Sequence, residues 1–533
     1  MGHIMTSSRY TGKSVKAAAD APNRLGAPRG MRVTGGGRHG YTPACRVEPL
    51  ERRQLLSGAA KANGRGGNRA ATALVERIES RVLMSGTPVP VGDAAEFRVN
   101  EQTTGGQYAG SNRSVATDAQ GNFVVTWTSQ HGQDGSGSGV FARRYDAAGN
   151  PIGGEFRVNT YTAGEQVARS VAMNGSGNFV IVWYSLNQAQ PKTNKNGGGS
   201  DYDVYAQRYD AVGNPLGGEF LVNTTIAASQ WLPTAGLADD GSLFVAWQSE
   251  NQDAKSGRSS ASTGVYAQRF NAAGAKVGGE FRVNTYTPDG QFLPTVAVDG
   301  PGNCLVAWTS VDQDGDDYGI YAQRYDASGA AAGGEFRVNA QTTGRQQFPN
   351  AALLPGGGFA VTWDHNMLDG TYGDVHMRRH DGTNFSDEVL VNSYTAAHQG
   401  KASLAVDNVG NTTVVWHSNG QDGGGMGVYG QQYDPAGQRR GSEFQVNSYT
   451  GGDQSYASVA AQPDGRFVAV WSGQDLDGQG VYARLFQPPV EPGPTSEPTF
   501  STTSISDSTA VEEEEAGTSS LVDLVGIQGP QIA

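Results

Sequence analysis

The chain has 533 residues with 76 glycines, 17% charged and 9% aromatic side chains, a balance that suits short strands joined by turns needing positive φ and argues against long helices. Its net charge of −13 is uneven, since residues 1–81 carry 15 Lys and Arg against 5 Asp and Glu, leaving 24 basic and 47 acidic side chains in residues 82–533. An acidic body repels phosphate backbones and excludes nucleic acid as a partner, two cysteines (Cys45 and Cys304) exclude a disulfide framework or a Cys-based zinc site, and no apolar run approaches the ~18 residues of a membrane span.

Residues 1–90 form a basic arm, expected to be largely disordered and to serve targeting or contact with the envelope. Its first thirty residues hold no apolar h-region of about 7 residues or more, so no conventional signal peptide is visible there. Two related segments lie inside it, Leu50-Glu-Arg-Arg-Gln-Leu-Leu-Ser57 and Ile78-Glu-Ser-Arg-Val-Leu-Met-Ser85, and the twelve-residue windows from Val47 and Val75 share seven identities.

From residue 94 to 487 one frame recurs seven times. Each copy opens with Glu-Phe-Arg-Val-Asn or a close variant, at Glu96, Glu155, Glu219, Glu280, Glu335, Glu388 and Glu443. A Gln follows each Asn at an offset of seven (Gln107, Gln166, Gln230, Gln291, Gln346, Gln399, Gln454), and then one Trp (Trp127, Trp183, Trp247, Trp308, Trp363, Trp416, Trp471). Within a copy the turn signals separate four predicted strands, taken as 114–118, 122–129, 140–146 and 155–159 in the first. Phe179-Val-Ile-Val-Trp183 is apolar on both faces, as a strand covered on both sides should be.

The last copy ends one strand short, and the first begins with the strand that would complete it. Borrowing that strand closes a ring and removes exposed edges. The predicted fold is therefore all-β, a monomeric seven-bladed β-propeller over 94–487 closed by its N-terminal strand. Length varies almost only between each Trp and the next strand, with offsets of 13, 21, 18, 12, 12, 12 and 10 residues, whereas strand three to the next Trp spans 43 residues in five cases and 41 in one. These variable loops would share one face of the propeller, the natural place for a ligand.

The loops carry an Asp-Gly theme. Asp312, Asp314, Asp316 and Asp317 offer carboxylates at the spacing that Ca²⁺ needs from a loop, although Gln323 stands where a terminal Glu would complete an EF-hand. Asp134, Asp422, Asp475 and Asp477 are the related candidates on the ligand face. The plainer account of all of them is tight-turn chemistry. Recurrent Asn and Gln are read as partners of backbone groups, Trp as core packing, and Arg208, Arg269, Arg324, Arg379 and Arg484 as partners of the Glu that opens strand four. No catalytic constellation is recognised: His365, His376, His380, His398 and His417 gather in copies five and six without a known motif, and read as surface substitutions.

Trp308, Gln313-Asp-Gly315, Tyr321-Ala-Gln-Arg-Tyr-Asp326 and Gly334-Glu-Phe-Arg-Val-Asn339 together resemble a repeat of large bacterial extracellular proteins, over about three quarters of the chain. That resemblance implies a setting among adhesins and calcium-associated surface proteins and transfers no activity. The arm is similar to the LEPR-XLL segment near the start of extracellular proteins of planctomycete bacteria, with Leu50, Glu51, Arg53, Leu55 and Leu56, then Ile78, Glu79, Arg81 and Leu83, at the matching positions and Arg52 where Pro is typical. It implies sorting to the cell exterior or envelope. Residues 488–533, Pro-rich and then acidic, read as a disordered tail.

The expectation is a non-catalytic secreted or cell-surface module that binds polysaccharide or protein through the variable-loop face, with Ca²⁺ as its one candidate ion. The alternatives are a secreted hydrolase or lyase with its site at the channel mouth, and a structural component of the envelope. Paired carboxylates confined to one copy would favour the enzyme; equivalent carboxylates in most copies would favour a scaffold.

Overall fold

A computed structural model describes residues 87–91 and 96–488, except 112, 190–200, 254–262, 367–372 and 476–477. Both halves of the sorting motif, Asp477 and the Asp475 side chain lie outside what is described. Every element among the described residues is a strand, and all the ladders but one are antiparallel. We number seven modules by the Trp each carries, Trp127 in module 1 to Trp471 in module 7.

Module 4 shows the plan: Gln291–Val298, Cys304–Val311, Tyr318–Tyr325 and Phe336–Arg337, each paired with the next. The central Trp strand is buried on both faces in every module, and all seven Trp are among the largest fully buried side chains. Tight hairpins behave as their composition dictates. Asp118 Oδ1 accepts from the backbone N–H of Gln120 and Asn122, and Gly121 supplies φ +84°.

The Gln lies at the start of the first strand of each module, where it is fully buried or nearly so. A register shift follows it in modules 2 to 7, and the second residue after the Gln takes positive φ in five of them: Leu232, Leu293, Phe348, Lys401 and Tyr456 at +49 to +55°. One point differs from the sequence reading, the partners of the strand-three Arg residues, which do not pair with Glu. Arg208 donates to Ala272 O, Arg269 to Ser328 O and Ala327 O, Arg324 to Gly357 O and Arg379 to Asp434 O and Pro435 O, each time in a turn of the following module, and Arg484 donates to Val446 O.

The Glu has other work. Glu155, Glu219, Glu280, Glu335, Glu388, Glu443 and Glu96 each accept at 2.5–2.7 Å from the backbone N–H that follows an Asn: residues Glu101, Thr160, Thr224, Thr285, Ala340, Ser393 and Ser448 respectively. The Asn side chain meets strand three. Asn159, Asn223, Asn284, Asn339, Asn392, Asn447 and Asn100 accept at 2.7–2.8 Å from the N–H of Val140, Val204, Val265, Ile320, Val375, Val428 and Val481. Buried N–H groups must be satisfied, and here one side chain per module does it.

Glu96 and Asn100 belong to the N-terminal strand, yet they serve module 7. Phe97 lies opposite Ala483 and Arg98 opposite Tyr482, in the same sheet as Phe467–Asp475. Among the described residues there are six hydrogen-bonded sheets rather than seven, because one parallel pair, Tyr318 with Arg345, joins modules 4 and 5, and none of the six closes on itself. Modules distant in sequence nevertheless converge, since Arg113 of module 1 donates through Nε to Thr295 Oγ1 of module 4 at 2.9 Å and through Nη2 to Ala351 O of module 5.

Candidate functional site

A repeated frame makes each departure visible. The residue after the Trp is Thr128, Tyr184, Gln248, Thr309, Asp364, His417 and Ser472 through the seven modules, and the one after that is Ser in five, His365 in module 5 and Gly473 in module 7. At the first of these columns the side chain reaches the N–H of the second residue past the Gln in the next module: Thr128 accepts from Ala168, Gln248 from Leu293 and Ser472 from Ala109. In module 5 the acceptor is a carboxylate, and Asp364 takes the Lys401 N–H at 2.8 and 3.0 Å.

With it, a carboxyl and an imidazole, Asp364 and His417, stand in a column that the other five modules fill with Thr, Tyr, Gln or Ser. Asp364 and His417 are buried; burial pushes the Asp364 carboxyl up to about 7 and the His417 imidazole down to about 3, with Lys401 adding to the latter. His398 stacks obliquely on His417 with ring centroids 5.7 Å apart, and burial followed by Lys401 lowers it too. Gly400 lies between Asp364 and His398: a Cβ there would stand 2.6 Å from Asp364 Oδ2 and 3.1 Å from His398 Nε2. These histidines read from the sequence as surface substitutions, and the structure corrects that, for His365 and His417 are 7% and 4% exposed.

The positive-φ residues extend the site sideways. The Lys401 ammonium sits 5.4 Å from the Phe348 ring centroid and 4.6 Å from that of Tyr456, joining modules 5, 6 and 7 through cation–π contacts. Tyr456 is close enough to Tyr108 of module 1 and Arg169 of module 2 to act on their charge. Side chains of five modules thus lie near one another around Lys401 and Tyr456.

The aspartates singled out from the sequence have structural partners. Asp134 Oδ2 and Asp314 Oδ2 accept from the side chains of Asn159 and Asn339, and Asp203 of module 2 does the same for Asn223. Asp316 accepts from the Gly344 N–H and Asp317 from Arg345 Nε at 2.7 Å. Asp422 accepts from the Gly424 N–H. Asp312 is exposed at φ +56° and has its pKa raised by desolvation and then by Asp289, Asp317, Asp316 and Asp314. Among the described residues, His365, His376 and Glu388 alone form a group of three potential metal ligands within 4.8 Å of one another; the four aspartates of 312–317 do not. The repeated carboxylates act as scaffold, Glu388 among them through the Ala340 N–H, and Asp364 alone places a carboxyl directly after a Trp.

No family model matches the chain, and no curated protein matches it in sequence. It is similar to several solved structures. One is a protein of unknown function from Dyadobacter fermentans, with 12% identity and a TM-score of 0.44 over 60% of this chain and 95% of that one. Another is a polysaccharide lyase described as an ulvan lyase bound to a disaccharide of glucuronate and sulfated rhamnose, with 11% identity and a TM-score of 0.43 over 74% of this chain and 95% of that one. A third is an α-L-arabinofuranosidase of Fusarium graminearum in complex with arabinobiose, with 10% identity and a TM-score of 0.40 over 60% of this chain and 92% of that one.

Proposed function

We propose that the seven modules form a closed seven-bladed β-propeller and that the protein is a secreted or envelope-associated enzyme that cleaves an anionic polysaccharide at the channel mouth. Closure is supported by the Glu and Asn contacts, which pass through the chain termini without a break in their geometry. The Arg113 contacts to modules 4 and 5 support a common axis. The innermost strands all start on the face that carries the variable loops, so the Asp364, His398, Lys401 and His417 group belongs to the mouth.

One observation carries the enzymatic reading: a carboxyl and an imidazole, Asp364 and His417, stand in a column that the other five modules fill with Thr, Ser, Tyr or Gln. A scaffold or multivalent binder would repeat them. On an otherwise acidic body, Lys401 and Arg169 would single out this mouth for a carboxylate or sulfate, and Phe348, Tyr456 and Tyr108 offer faces for sugar rings. Hydrolysis calls for two carboxyl groups flanking the bond, and Asp364 is turned toward the Lys401 backbone. Elimination calls for a cation on the substrate carboxylate, a base for the adjacent proton and a donor to the leaving oxygen. Lys401 and Arg169, His398, and Tyr456 match those three needs in turn.

The test is a panel of acidic and neutral polysaccharides, read by new reducing ends and by the ultraviolet absorbance of unsaturated uronate. Both signals on an acidic polymer, with loss of about 10²-fold or more in His398→Ala at unchanged melting temperature, are expected. Reducing ends alone would mean hydrolysis. Retention on a polymer without cleavage would return the protein to the class of binding modules.

A further inference from the structure

Module 5 departs from the frame in two columns at once. His365 stands where Ser129, Ser185, Ser249, Ser310 and Ser418 stand elsewhere, and His376 where Phe141, Tyr205, Tyr266, Tyr321, Tyr429 and Tyr482 do. The two rings meet edge to face with centroids 4.8 Å apart. Glu388 closes the group, with His376 Nδ1 at 2.7 Å from its Oε1.

Part of this has a bland explanation. In five modules a loop Gln donates to the same Glu: Gln133, Gln188, Gln252, Gln313 and Gln421 to Glu155, Glu219, Glu280, Glu335 and Glu443. His376 takes over that donation in module 5. It leaves His365 unexplained. The Nε2 of His365 lies 3.0 Å from the Thr343 carbonyl, which can only accept, so Nε2 carries the proton and Nδ1 is left with a bare lone pair. Nδ1 is buried, and no hydrogen-bond partner reaches it. A lone pair that is desolvated and unused, beside a second imidazole and a carboxylate, is the state of a metal ligand waiting for its ion.

We propose that His365, His376 and Glu388 bind a divalent transition ion of the Zn²⁺ class. Two imidazole nitrogens and one carboxylate oxygen are the donor set that Zn²⁺ takes at sites with three protein ligands, and nitrogen donors disfavour Ca²⁺ and Mg²⁺. The surrounding contacts are those that orient such ligands. The Thr343 carbonyl fixes the His365 tautomer, while Glu388 Oε2 is held by the backbone N–H groups of Ala340 at 2.7 Å and Gln341 at 3.1 Å. The ion would displace the proton shared between His376 and Glu388 and leave those supports intact. This inference stands apart from the polysaccharide reading, for it needs no substrate.

The test uses the full chain freed of metal by a chelator and titrated with Zn²⁺ and separately with Co²⁺. We expect one ion per chain at micromolar affinity or tighter, a melting temperature that rises with Zn²⁺, and visible absorption of Co²⁺ from a site with nitrogen ligands. The paired variant His365→Ser with His376→Tyr installs the residues that other modules already fold with, so it should melt with the wild type in chelator and lose binding by 10²-fold or more. Ca²⁺ should give no comparable shift. Absence of stoichiometric binding, or binding unchanged in the paired variant, would overturn the proposal.

Discussion

Modules 4 and 5 are neighbours on one frame, and they use the same columns to different ends. In module 4, Ser310, Tyr321 and the pair Gln313–Glu335 occupy positions that module 5 gives to His365, His376 and the pair His376–Glu388, and Thr309 gives way to Asp364. What both keep is the backbone support: Glu335 and Glu388 each hold a link amide, and Asn339 and Asn392 each hold the start of strand three. The difference teaches a rule for this chain. Contacts that recur in all seven modules make the fold, and side chains that depart from them in one place are where chemistry is to be sought.

The largest test of that rule is at the ends of the chain, where module 7 is assembled from two distant segments. Deleting residues 94–101 removes Val99, which is fully buried, and Phe97, which packs partly buried against the same cluster. At roughly 1.5–3 kcal/mol for a fully buried side chain and less for a partly buried one, the loss is about 2–5 kcal/mol before the exposed edge of Gly478–Gln487 is counted. Urea unfolding should lose cooperativity and the protein should associate, while deletion of residues 1–86 should leave the transition where it was. Equal transitions for the two truncations would remove closure from the proposal.

Next in size is an attempt to make module 6 resemble module 3 by His417→Gln, with Gln248 as the precedent. The His417 imidazole is held at about 3 in the fold by burial, then by Lys401 and His398, against about 6.5 in the unfolded chain. Below pH 6.5 the unfolded state takes a proton that the fold refuses. Stability from this group is therefore fully present above pH 6.5 and lost as pH falls toward 3, by roughly 3 kcal/mol at pH 4.5. The variant should show a flatter acid limb in stability against pH, and an identical limb would mean that His417 is solvated.

A smaller effect compares the staples themselves. Asn339→Ala, Asn392→Ala and Asn100→Ala each orphan one buried strand-three N–H, at an expected cost of about 1–3 kcal/mol. Equal losses in chemical denaturation would show that modules 4, 5 and 7 rest on one construction. A negligible loss for Asn100→Ala alone would single out the terminal strand as loosely held.

The staples also show what was legible in advance. Seven copies, one Trp core per copy and the completing strand at the start of the chain could be read from recurrence and from a last copy one strand short, because repetition reports on itself. The partners could not be read. Glu280 and the Thr224 N–H are 56 residues apart and Glu96 and the Ser448 N–H 352 apart, so no local pattern links them. The Arg residues were assigned to the Glu on charge alone, yet the Glu oxygens were already taken by backbone amides and Gln. The special groups of modules 5 and 6 were within reach: Asp364, His365 and His417 stand in the two columns after a Trp that ends a buried strand, and lining up the copies column by column places them inside. Read as a scatter of histidines instead, they looked like surface.

One construction uses two different sequences for the same contact, and it sets the smallest and most specific prediction. In modules 1 and 4 the carboxylate that meets the staple Asn comes from a loop, as Asp134 and Asp314, and strand three has Gly139 or Gly319 just ahead of the residue the Asn holds, where a Cβ would strike that carboxylate at 2.7 and 2.5 Å. In module 2 the strand itself supplies the carboxylate as Asp203, whose Oδ1 accepts from Asn223 Nδ2 at 2.8 Å. Asp203 is 1% exposed, and burial raises its pKa to about 6 although the Asn223 bond works in the opposite sense. A carboxyl whose folded pKa lies above its unfolded value contributes stability that is complete below about 3.8 and is lost as pH rises through about 6. Asp203→Asn keeps an acceptor for Asn223 and removes the titration. The shift corresponds to about 3 kcal/mol, roughly halved by solvent screening, so relative to wild type the variant should gain about 1–2 kcal/mol in going from pH 3 to pH 7, whatever constant offset its own amide introduces. If the separation between wild type and Asp203→Asn stays constant across the range, the Asp203 carboxyl is solvated and only its contact with Asn223 matters.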